Sequence, residues 1–98
     1  MINLKKGTLN LITDVPGVKI GHVTLHENIN DKDSICTGVT AILPHSENSF
    51  SHKVPAASFV LNGFGKTVGL IQLEELGLME SPIMLTNTFS VGAVLEGT

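Results

Sequence analysis

The residues best placed for chemistry are Thr86, Asn87 and Thr88, three small polar side chains that follow the apolar Ile83-Met84-Leu85 and precede a helix start. A strand end of this kind gathers amide N–H groups and side-chain donors, which is what an oxyanion or a substrate carbonyl requires. The same triplet could equally cap the helix that follows, and the residues by themselves leave both readings open.

A second candidate is Gly63-Phe64-Gly65-Lys66-Thr67-Val68-Gly69, placed between a strand and a helix, where a phosphate-cradling loop belongs. It fails both phosphate-loop templates at positions with a physical task. A Walker A loop needs glycine at position 60, which is Val60, and a dinucleotide loop needs its third glycine at position 68, which is Val68. Glu80 is a poor match for the acid such a loop wants about 20 residues on. A tight strand-to-helix turn that can border a site is the better reading, and nucleotide cofactors are not expected.

Other chemical groups point to structure. His22 and His26 have the spacing of a helical metal pair, but the backbone there should be extended, setting the rings about 13 Å apart. His45 and His52 lie in a polar stretch and read as solvated. No metal is expected. Cys36 has no neighbouring cation to lower its pKa, and Glu74-Glu75 diverge by about 100° on a helix, so neither supplies a nucleophile or a shared proton site.

The elements that must position these groups follow from pattern. Thr8 to Thr13 and Val18 to Leu25 read as strands around the turn Asp14-Val15-Pro16-Gly17, and His26 to Thr37 as a flexible polar loop. Gly38 to Leu43, Val54 to Leu61 and Ile83 to Thr86 read as further strands. Lys66 to Leu76 has helical periodicity stopped by Gly77, and a second helix begins near Val91, with Thr88 or Ser90 as its cap. Strands followed by alternating helix and strand give an α/β (α+β) class with a mixed sheet and one complete helix.

Composition narrows the partners. The chain has 98 residues, a net charge of −3 and 15% charged residues, against 42% hydrophobic ones. That balance argues against nucleic acid, which calls for clustered Lys and Arg, and is apolar enough to expect a protein partner. The absence of an apolar leader or a run of roughly 20 apolar residues gives the expectation of a cytoplasmic location without membrane anchorage.

Four blocks in order carry a family resemblance: Ile12-Thr13-Asp14-Val15-Pro16-Gly17, Gly38-Val39-Thr40-Ala41-Ile42-Leu43-Pro44, Val60-Leu61-Asn62-Gly63 and Leu85-Thr86-Asn87-Thr88. With Gly21 to Leu25, Val54-Pro55-Ala56, Gly77 and Pro82-Ile83 they resemble the front part of the DmpA-like self-processing aminopeptidases, from about Asn10 to the last residue. The resemblance implies a four-layer αββα sandwich, of which residues 1–98 form a single incomplete domain, the N-terminal part of the larger subunit. It implies self-cleavage before a Ser or Thr that then attacks N-terminal aminoacyl amides, peptides or esters, with no cofactor.

That nucleophile would lie beyond Thr98, so no catalytic residue is expected within the chain, and the 98 residues alone are expected to be inactive. The resemblance places Asn62, Gly63, Thr86, Asn87 and Thr88 near the substrate. Phe64 and Lys66 stand where polar and acidic residues are more usual in the family, which bears on specificity. Strands made for pairing on both edges imply a homo-oligomer. The alternative is a non-catalytic interaction module that associates through exposed strand edges.

Overall fold

A computed structural model describes residues 3–98. Its first ordered segment is built on Asp14, whose carboxylate accepts the amide of Leu9 at 3.0 and 3.1 Å and that of Leu11 at 3.2 Å. The chain therefore bends back, and Ile12–Asp14 forms a turn of 3-10 helix. The strand expected over Thr8 to Thr13 is absent because amides that a ladder would need are held by this side chain. The turn that follows is as expected: the Val18 amide bonds to the Val15 carbonyl at 3.2 Å, with Gly17 at φ +87°. Pro16 and Gly17 thus occupy the two central positions of a type II turn.

Strand β1 (Lys19–Asn28) and strand β2 (Ser34–Leu43) form a long antiparallel hairpin running from the Lys19–Leu43 pair to the Asn28–Ser34 pair. The loop expected from His26 to Thr37 contracts to residues 29–33. Asn30 is the cause: its side-chain oxygen accepts the amides of Lys32 at 2.8 Å and Asp33 at 2.9 Å, while the Ile29 amide reaches the Asp33 carbonyl at 3.0 Å. An Asx-type turn closes the hairpin early and lets both strands extend. Gly38 sits where the strands crowd, since a Cβ there would come 2.6 Å from the Val23 carbonyl oxygen.

On its other edge β2 pairs antiparallel with a later strand, Ile83–Thr86, with Val39 opposite Thr86 and Ile42 opposite Ile83. Between these segments lie β3 (Val54–Pro55), helix α1 (Leu70–Leu76) and β4 (Leu78–Met79), so Ile83–Thr86 is β5 and the final helix α2 is Val91–Gly97. The larger sheet has the order β1-β2-β5, and β3 pairs with β4 in a second sheet. The α/β class stands, with two corrections of detail. All pairings among the described residues are antiparallel, and a second helix, α2, already forms its hydrogen-bond ladder over Val91–Gly97.

The strand expected to Leu61 ends at Pro55 because β4 offers it only two residues to pair with. Helix α1 begins later than the periodicity suggests, since Gly69 just before it is left-handed at φ +89°. Its end is as expected: Gly77 at φ +64° donates its amide to Leu73 at 2.8 Å.

Glu80 ties this small sheet to α1. One carboxylate oxygen takes Lys53 Nζ at 2.7 Å and the other takes Gln72 Nε2 at 2.8 Å. The Lys53 hydrogen bond, then that of Gln72, holds the Glu80 carboxyl below its ordinary value of 4.5. A carboxyl depressed in the folded state stabilises the fold above its ordinary pKa, and this contribution is lost as the pH falls through the lower folded value. Lys53→Met is expected to raise the Glu80 titration midpoint toward the ordinary value, read from its carboxyl NMR shift between pH 2 and 6. An unmoved midpoint would show that the Lys53 contact does not set it.

No side chain among the described residues is buried, and the best covered run, Thr37 to Ile42 of β2, is half-buried. The accessible surface is 8,496 Å², where a folded monomer of this mass exposes roughly 5,400 Å². The radius of gyration is 16.3 Å, against about 13 Å for a compact domain of this length. These layers therefore do not close over a core of their own.

Candidate functional site

The triplet after β5 is positioned by its register against β2. Thr86 ends the strand and donates its hydroxyl to the Gly38 carbonyl at 3.2 Å. Asn87, one residue on, donates Nδ2 to the Thr37 hydroxyl at 2.8 Å, a contact between residues fifty positions apart. Its side-chain oxygen accepts the amides of Phe89 and Ser90, both at 3.1 Å. Two of the amides that could have faced an oxyanion are therefore engaged by the Asn87 carboxamide, which starts α2 in place of a hydroxyl cap: Ser90 makes no side-chain cap bond.

Replacing Asn87 with Ala is expected to free the Phe89 amide and to raise its hydrogen exchange by about tenfold or more, the equivalent of losing one cap of about 1–2 kcal/mol, while the Ser90 amide keeps its bond to the Asn87 backbone carbonyl at 3.1 Å. Asn87→Asp retains the accepting oxygen and should keep most of that protection. Equal exchange in the two variants would contradict this account of the turn.

Two concavities adjoin the triplet. A groove of about 470 Å³ lies between α1, β5 and α2, lined by apolar side chains including Leu70, Leu73, Met84, Val91 and Val94, with Thr86 on its wall. A smaller cleft of about 200 Å³ is lined by Phe64, Lys66, Thr88 and Phe89. Lys66 borders both. The phenyl rings of Phe64 and Phe89 are almost wholly exposed, at 91% and 100%, and Lys66 Nζ stands 5.6 Å from the Phe64 ring centre.

Asn62 and Gly63 line neither concavity but shape the turn that leads to this cleft. Asn62 is left-handed at φ +51°, a conformation asparagine tolerates better than most residues, and its carbonyl accepts the Phe64 amide at 2.6 Å. The structure thus brings Thr88 to Phe64 and Lys66. Asn87 and Thr86 instead spend their polar groups on β2. Phe89 was not a candidate on sequence grounds; a bulky aromatic directly after a polar triplet at a helix start was the available signal.

The remaining groups have other partners. His22 lies in the extended β1, with Nδ1 2.8 Å from the hydroxyl of its cross-strand neighbour Thr40. His45 closes the loop before β3. Its Nδ1 accepts the Glu47 amide at 3.1 Å, which leaves Nε2 to carry the proton donated to the His52 carbonyl at 2.7 Å. Cys36 is an exposed free thiol. Among the described residues no three His, Cys, Asp or Glu side chains converge as a metal site, and no helix is long and apolar enough to cross a membrane.

This arrangement of strands and turns has known counterparts. The chain belongs to peptidase family S58, whose model matches residues 10–98. It is 42% identical over 96 residues to beta-peptidyl aminopeptidase BapA of Sphingosinicella microcystinivorans, covering 94% of this chain and 24% of that protein. The crystal structure of the PH0078 protein from Pyrococcus horikoshii OT3 superposes with a TM-score of 0.89 at 55% identity, covering 99% of this chain and 29% of that one. A beta-aminopeptidase from a Burkholderia species superposes at 0.84 with 46% identity, covering 98% and 27%. The chain spans about a quarter of the length of the curated relatives it matches. The family resemblance carried by the sequence blocks is borne out, and the αββα expectation is consistent with a partial sandwich.

Proposed function

We propose that these residues are the N-terminal part of the larger subunit of a self-processing aminopeptidase. When complete, it hydrolyses N-terminal aminoacyl amides, peptides or esters through an N-terminal Ser or Thr supplied from outside the 98 residues. The observation that carries this reading is the family match across residues 10–98 at about a quarter of the relatives' length, joined to a surface that no core of its own accounts for. Beta-peptidyl aminopeptidases among the relatives make β-linked N-terminal residues the first substrates to try.

Within that reading Asn62, Gly63, Thr86, Asn87 and Thr88 support the substrate. Thr88 borders the cleft with Phe64 and Lys66 and would contact the substrate, while Thr86 and Asn87 hold the turn through β2. No cofactor or metal takes part, the protein is a cytoplasmic homo-oligomer, and it binds neither nucleic acid nor membrane. The test is N-terminal residue release from β- and α-aminoacyl anilides by the protein from its native source, and by its Thr88→Val variant. Release with a raised KM in the variant is expected. No release from any aminoacyl amide or ester would overturn the peptidase reading.

A second reading is a non-catalytic interaction module, favoured by the length of the β1 edge, ten residues with no strand beyond it among the described residues. It predicts association without hydrolysis from any source.

A further inference from the structure

The segment between β2 and β3 is closed by one histidine that uses both of its ring nitrogens. His45 Nδ1 accepts the Glu47 amide at 3.1 Å, and Nε2 donates to the His52 carbonyl at 2.7 Å. Between these contacts Asn48 builds an inner turn. Its side-chain oxygen accepts the amides of Phe50 at 3.0 Å and Ser51 at 3.1 Å, and its carbonyl accepts that of His52 at 2.9 Å. All of these bonds lie within residues 45–52, and none involves a sheet edge or the groove beside α1.

The two ends of the clasp differ in kind. A carbonyl accepts from imidazole and imidazolium alike, whereas a ring nitrogen accepts an amide proton only while it carries a lone pair. Protonation of His45 therefore keeps the His52 contact and turns Nδ1 into a second donor facing the Glu47 N–H. The Asn48 carboxamide does not titrate, and beyond the far end Lys53 Nζ is anchored on Glu80 at 2.7 Å. Only the near side, residues 45–47, is held by a bond that a proton can break.

The neighbouring charges decide whether that loss prevails. On the loop, Glu47 Oε2 stands 3.6 Å from His52 Nδ1, and Lys53 Nζ lies 4.8 Å from the Phe50 ring centre. On the facing turn before β1, a Cβ on Gly17 would come 4.0 Å from the His45 Cα. Asp14 and Lys19 flank that turn, and the Asp14 carboxylate is taken by the amides of Leu9 and Leu11. Protonated His52 would draw Glu47 closer as the pH falls, opposite in sign to the change at His45. That pair is exposed at both side chains, 64% and 63%, and an exposed pair is worth little beside a direct hydrogen bond to the backbone.

We infer that His45 is a proton-operated clasp on the β2–β3 loop: neutral, it closes the loop, and protonated, it releases Glu47 and opens the near side. Histidine side chains change charge between about pH 5 and 8, so acidification over that range drives the opening. The device is independent of peptidase activity.

The experiment is hydrogen exchange of the full-length protein at pH 8 and at pH 5.5, with each amide normalised to a free peptide of residues 44–53 at the same pH. Protection of the Glu47 amide should fall about tenfold or more at the lower pH, while Phe50 and Ser51, held by Asn48, keep theirs. His45→Asn puts an amide oxygen where Nδ1 stands and cannot take up a proton, so Glu47 should be equally protected at both pH values. His52→Gln removes the opposing ion pair and should retain the fall. Equal or greater protection of Glu47 at pH 5.5 in the unaltered protein would overturn the proposal. So would the same fall in His45→Asn, or a parallel loss at the Gly77 amide, whose bond to Leu73 lies outside the loop.

Discussion

The 98-residue chain is expected to release product from β- and α-aminoacyl anilides no faster than buffer does, a deficit on the order of a millionfold or more against a working hydrolase. Acyl transfer needs a nucleophile, a base within reach of it, a group that orients the base, and donors aimed at the developing oxyanion. The closest pairing of hydroxyl and imidazole among the described residues is Thr40 with His22 at 2.8 Å. Among the described residues no carboxylate pairs with His22. Among the described residues the only hydrogen-bond contact of the Cys36 sulfur is the Ser34 hydroxyl at 3.9 Å; His26, opposite Cys36 in the β1–β2 register, makes no hydrogen bond to it. The amides of Phe89 and Ser90 are held by Asn87. Thr40→Val should therefore leave the background rate unchanged. Turnover by the chain, abolished in Thr40→Val, would make that pair a catalytic dyad and refute the reading.

The second large effect is on folding. At concentrations too low for association, the chain is expected to unfold over a broad temperature range and to bind the apolar dye ANS. Ordering a backbone costs about 1–2 kcal/mol per residue, and burial of apolar surface is what offsets it. Here no side chain is buried, and the exposed surface exceeds that of a compact monomer by roughly 3,000 Å². That excess is larger than the surface a standard protein–protein complex removes from water, roughly 1,600 Å² in total. A single sharp transition with equal calorimetric and van't Hoff enthalpies in the dilute chain would show that it closes a core unaided.

What was legible in the sequence depended on how local the cause was. Val15-Pro16-Gly17-Val18 is a type II turn because Pro and Gly impose it from within four residues, and Gly77 ends α1 for the same kind of reason. The expectations failed where one side chain captured several amides. Asp14 draws in Leu9 and Leu11 and abolishes a strand, and Asn30 closes the hairpin tightly enough to convert most of a loop into β structure. Composition could flag Asn and Asp as turn formers but not which amides they would take.

The candidate site shows the same limit across a longer distance. Asn87 could be read as cap or as site wall, and its bond to Thr37 depends on the β2–β5 register, which pairs Val39 with Thr86. No pattern within residues 82–92 encodes that pairing. Phe64 and Lys66 were noticed for departing from the family pattern, and the cleft they share with Thr88 and Phe89 emerged only once two turns, over twenty residues apart, were folded together.

The central claim is that these residues work as one part of a larger self-processing peptidase, and the intact mass of the protein from its native source, read with the coding sequence past codon 98, tests it most directly. The account predicts a reading frame that continues to a Gly-Ser or Gly-Thr cleavage point and two subunits whose masses sum to the translated product. A single species of 10.4 kDa, with a stop codon directly after Thr98, would contradict it.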